Sequence, residues 1–159
     1  MQQLNQDCIL QYQWVTESRN RLLLYLETLA PGMLLQEVPS FSNGGSIRNL
    51  LVHVANVYQH WTGIIALNKA ITYAAYEDFT DIPQVRILYG TIDSLITELL
   101  QQEALAATQV PFSLNKEQRT TSLFRIFTHV ITHECHHKGQ ILTISRLMGY
   151  TPVDTDIIH

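Results

Sequence analysis

Apolar residues return every third or fourth position through four stretches of the chain, a spacing that paints one side of an α-helix and leaves the other to water. In the first stretch, about residues 4–29, Leu4, Cys8, Tyr12, Val15, Leu22, Leu26 and Leu29 form the stripe, and Gln, Glu and Arg fill the opposite side. Pro31-Gly32 ends it. A polar loop with Pro39 and Gly44-Gly45 then leads to Ser46, placed to cap a second helix running from about Ile47 to Leu67. Residues 69–83 carry no period and are punctuated by Asp78, Asp81 and Pro83. A third helix is predicted over about Gln84–Ala107, with Val85, Leu88, Ile92, Leu95 and Leu99 on one face, and Val110-Pro111 breaks it. The fourth runs from about Thr121 to Met148 and is closed by Gly149 and then Pro152. Strand signal is sparse: VPFSL at 110–114 reads as a short extended piece and nothing more.

Four helices of ~20–28 residues joined by connections of ~12–17 residues predict an all-α four-helix bundle in which at least one connection crosses over. No repeat, low-complexity run or linker divides the chain, so residues 1–159 are expected to form one domain, long enough to bury a core without staples. The formal charge of −4 and a pI near 5.9 argue against a nucleic-acid or anionic-membrane surface, and Arg19, Arg21, Arg119 and Arg125 are scattered singles. Two cysteines, Cys8 and Cys135, are too few for a disulfide framework and fit a reducing compartment. MQQLNQDCILQYQW lacks the basic and then apolar blocks of a signal peptide, and no apolar stretch approaches the ~18–20 residues of a membrane span. The expected location is the cytoplasm.

Chemistry concentrates in the fourth helix. FTHVITHECHHKGQI holds His129, His133, His136 and His137 within nine residues. At ~100° per residue, His133 and His137 lie ~40° apart and one turn from each other, on the azimuth of Ile126 and Ile144. Two imidazoles at that spacing can share a metal ion, and a polar ring aimed at an apolar face needs a partner. His129 continues the stripe one turn earlier, which makes 129/133 a geometrically legal alternative pair, or His129 a pocket residue. A third ligand has to come from elsewhere. In LLVHVANVYQHW of helix two, His53 shares its face with Val57 and Ile64, and His60 lies near the same azimuth ~10 Å further on. One of the two could meet the pair, but hardly both. Three neutral imidazoles with an open fourth position make a catalytic rather than a structural site.

These segments carry a resemblance. SIRNLLVHVANVYQHW in helix two, IFTHVITHECHHKGQI in helix four and the ending LMGYTP together resemble the DinB-like family, across nearly the whole chain. The resemblance implies a four-helix bundle, often a homodimer, that binds a divalent metal such as zinc or nickel through three histidines, which fall here on His53, His133 and His137. It also implies relatives that act as transferases or isomerases with low-molecular-weight thiols, without DNA binding. Lys138 stands where relatives more often have Arg, which weakens any anion-binding role for that position. His133 to His137 also fits the zinc-protease pattern H-E-x-x-H. The extended pattern fails at Gln140 and Thr143, and no Glu follows residue 134 to serve as a downstream ligand, so peptidase activity is not expected.

Glu134, ~80° from the mean direction of the pair, is the candidate acid/base or water-orienting group. Cys135, ~200° from either ligand, is expected to be an inert, part-buried thiol facing away. His136 is expected at the solvent, Asn49 and Asn56 as possible supports for His53, Gln140 within reach of the ligand face, and Trp14, Trp61, Tyr12, Tyr25 and Tyr58 as core or dimer-interface aromatics. The function that follows is a metal-dependent enzyme on a small molecule, a thiol-dependent transferase or a hydrolase. The alternative is a metal-holding ligand-binding or stress-response protein without turnover.

Overall fold

A computed structural model describes residues 2–39 and 45–158. Helix α1 spans Gln2–Leu26, α2 spans Ile47–Tyr58, α3 spans Ile82–Leu100 and α4 spans Leu123–Leu147. Two strands, β1 (Gln109–Leu114) and β2 (Glu117–Ser122), form an antiparallel hairpin between α3 and α4. Ser46 caps α2 as its position predicts, its hydroxyl accepting from the Asn49 amide, and Ser122 does the same for α4 through Arg125. The α4 terminus is a Schellman turn: Gly149 takes φ +89°, its amide donates to the Arg146 carbonyl, and the Tyr150 amide reaches back to Ser145.

α1 packs beside α3 and α4, and α2 packs beside the same two. α1 therefore lies diagonally from α2, and the chain crosses the bundle between them, as the connection lengths predict. The arrangement places α2 directly against α4, the two helices that carry the histidines. Ile47, Leu50, Val54, Ile92, Ile96, Phe127, Val130 and Ile144 fill the space among the helices, each at most 2 % exposed. Among the described residues, no helix is long and apolar enough to cross a membrane.

Three details depart from the periodicity. Helix α3 starts at Ile82 rather than Gln84, because Asp81 and Gln84 form a reciprocal capping box and Pro83 is welcome in a first turn that donates no intrahelical bond. It also stops at Leu100 rather than Ala107; turns follow, and Ala104 takes φ +54°. The piece at 110–114 is half of a six-pair hairpin, closed by Asn115 and Lys116 at φ +53° and +67°, the signature of a type I′ turn. Pro111 is tolerated because it faces Thr120 at a position that, by the alternation of antiparallel pairs, does not donate into the ladder.

The third departure matters most for the site. The second helix does reach Ala66, but from Gln59 it is wound as a π-helix, ended by the Leu67 amide bonding to Thr62, five residues back. The wider winding moves every side chain past Tyr58 off the α-helical azimuth.

Candidate metal centre

His53 from α2 and His133 and His137 from α4 converge, and one ring nitrogen from each lies within 4.8 Å of the others. Ring centroids are 5.1 Å apart for His53 and His133, 4.8 Å for His53 and His137, and 4.4 Å for His133 and His137. The Nε2 atoms of His133 and His137 face each other at 3.2 Å. Two nitrogens bound to one tetrahedral zinc at ~2.0–2.1 Å would be roughly 3.3 Å apart, so this pair already stands at the separation of two ligands on one cation. The Nδ1 of His137 sits 2.7 Å from Gln140 Oε1. Since the amide oxygen only accepts, that nitrogen carries the ring proton and Nε2 keeps its lone pair for a ligand. His133 Nδ1 is buried with no hydrogen-bond partner among the described residues.

Proton affinity agrees with this geometry. Burial lowers the pKa of His53; in His133 burial comes first and His137, His53, His129 and His136 add to it, giving about 4. Burial also lowers His137, partly offset by the Gln140 hydrogen bond. All three rings are therefore neutral at pH 7, the state in which imidazole is a ligand. Three neutral nitrogens on two helices are a donor set that can hold a metal ion. Among the described residues no fourth His, Cys, Asp or Glu joins the group.

The neighbouring histidines divide as follows. His60 lies in the π-segment: its Nδ1 meets the Tyr73 hydroxyl at 2.7 Å, its ring packs on Trp61, and it does not join the triad. His129 stands between the Trp61 ring (5.4 Å) and His133 (5.8 Å), outside the three-histidine group, and borders a cavity of about 290 Å³. Trp61, Phe112, Arg119 and Arg125 line the same cavity. His136 is exposed, its ring 5.0 Å from that of His137.

Glu134, the candidate acid/base, is held in a buried ion-pair network. Both carboxylate oxygens accept from the Arg19 guanidinium, at 2.7 and 2.9 Å, while the Tyr58 hydroxyl donates to one of them at 2.6 Å. Arg19 also donates to Asp93 at 2.7 Å and lies 4.6 Å from the Tyr89 ring centre. This network ties all four helices together and engages both oxygens of the carboxylate. Cys135 is exposed rather than part-buried. Lys138 is occupied by the Thr155 carbonyl at 2.8 Å and the Ser18 hydroxyl. Asn56 supports the Ala74 backbone instead of His53, and Asn49 accepts from Arg48. Trp14 is 46 % exposed, outside the core.

Periodicity contained a sign of the Arg19 network that went unused: Arg19 occupies the α1 stripe between Val15 and Leu22, where an arginine demands a buried partner. Nothing comparable announced the cavity, whose walls come from the hairpin, the π-segment and α4.

The sequence model of the DinB family matches residues 1–159, and the chain belongs to that family. No curated protein matches the sequence.

Proposed function

We propose that this DinB-family chain is a metal-dependent enzyme acting on a small molecule, as a thiol-dependent transferase or a hydrolase, with zinc or nickel held by His53, His133 and His137. The observation that carries the reading is the convergence of three neutral imidazoles from two helices, with no fourth side-chain ligand joining them among the described residues. A cation so held supplies Lewis acidity and an exchangeable position for a substrate atom. The chain's own part is to fix the ligands and shape the approach. Gln140 locks the tautomer of His137. The α2–α4 packing sets the spacing of His53 from the pair. The rings of Phe112, Trp61 and His129 line the cavity beside His133.

Elemental analysis of untagged protein, repeated on His133→Ala, tests the metal. About one equivalent in the wild type and a marked loss in the variant is expected; equal, sub-stoichiometric metal in both would remove the reading. Turnover is tested by a panel of small electrophiles and esters with and without added thiols. Metal at full occupancy with ligand binding but no product would transfer the proposal to a non-catalytic, metal-dependent binding protein.

A further inference from the structure

The cavity beside His129 has an electrostatic character that the chain as a whole does not share. Acidic side chains outnumber basic ones, 14 to 10, yet the lining of this cavity contains Arg119 and Arg125 and no carboxylate. The Arg125 guanidinium has no partner among the described residues, its amide alone being engaged, by Ser122. Arg119 is paired with Glu117 of its own strand at 2.6 Å, but both side chains are about half exposed or more. Such a surface pair is worth little and yields to a better acceptor. Thr120 and Thr121 also line the cavity. Beside them stands an apolar wall: Phe112 is the cross-strand partner of Arg119, and its ring meets Trp61 edge to face at 5.2 Å. The groove on the far side of Trp61, lined by Asn56, His60, Tyr73 and Glu77 among others, has an acid and no cation. An anion therefore has one favourable side of Trp61 on which to sit.

We infer that this cavity is the substrate-anion subsite of the centre, taking a small molecule with a carboxylate at one end and an apolar or aromatic body. Two guanidiniums on separate elements suit a planar carboxylate, which each can engage through paired N–H donors. The body lies on Trp61 and Phe112, and His129 links the cavity to the ligand His133. This inference rests on the reading of the histidine triad as a catalytic centre, since it names the substrate that would reach it.

Titration calorimetry with 3-phenylpropanoate, its neutral amide and inorganic phosphate tests the inference on metal-loaded and chelator-stripped protein. The carboxylate should bind at least about tenfold more tightly than the amide, as expected for charge-assisted bonds, and more tightly than phosphate, which has no body for the ring wall. The preference should persist in stripped protein, fall in Arg125→Gln, and vanish in the Arg119→Gln/Arg125→Gln variant. Both arginines are exposed, so the variants should retain wild-type circular dichroism and metal content. Equal binding of acid and amide, phosphate binding as tight as the carboxylate's, or a preference found only with metal and indifferent to both arginines would overturn the inference. Arginine-dependent binding in a protein that holds no metal would instead refute the catalytic centre and leave the subsite standing.

Discussion

Replacing Glu134 by Gln separates two roles for the same residue. If the carboxylate serves as a base beside the metal, Glu134→Gln abolishes turnover and leaves stability alone. The structure gives the reverse expectation. Arg19 is 4 % exposed and Glu134 7 %, and the substitution leaves a buried guanidinium whose remaining carboxylate partner, Asp93, is nearly half exposed. Removing one member of a buried ion pair costs about 3–5 kcal/mol. The retained amide oxygen still accepts one bond, which favours the lower end, about 3 kcal/mol. For a chain of this size that is a fall in Tm of roughly 6–12 °C. The assay is urea unfolding of metal-stripped protein followed by circular dichroism, so that metal linkage does not enter. A double variant, Arg19→Met with Glu134→Leu, should regain part of the loss, because apolar replacement of a whole buried pair is often neutral. A Glu134→Gln midpoint indistinguishable from wild type would refute the structural assignment, and loss of turnover without loss of stability would restore the base.

Gln140→Ala removes the acceptor that orients His137, and metal affinity should weaken by about 10- to 100-fold in a chelator competition, as for other second-layer partners; unchanged affinity would remove Gln140 from the site. The His133 pKa is depressed from 6.5 to about 4, so the folded state binds fewer protons than the unfolded chain between those values. Stability of stripped protein is then fully present above pH 6.5 and lost progressively as pH falls toward 4. Urea midpoints at pH 7.5 and 5.0 should show this, and a midpoint equal or higher at pH 5.0 would contradict it. Gly149→Ala places a side chain at φ +89° and should lower stability by about 1 kcal/mol, readable in the same unfolding curves.

The four helices were legible because each carries a long apolar stripe, and the turn signals at Ser46 and Gly149 act within a few residues of themselves. The triad was legible for a related reason: His133 and His137 share one regular helix, and His53 lies before the winding changes. His60, about 10 Å beyond His53 along the same helix, stays out of the triad as that spacing implies, but no local residue announces the π-segment that carries it. Gly63 is the nearest to a sign, since a Cβ there would collide with Ile71. β2 was invisible because EQRTTS alternates nothing: all six of its residues are polar, and its partner strand is its main support. The environment of Glu134 depends on a residue in another helix, which periodicity within α4 does not reach.

The division of the three histidines between α2 and α4 has a consequence for synthesis. His53 leaves the ribosome before either of its companions. Until α4 emerges and docks against α2, the nascent protein offers one imidazole in place of three. Capture of a cation by all three rings would thus wait for that docking, and would fasten α2 to α4.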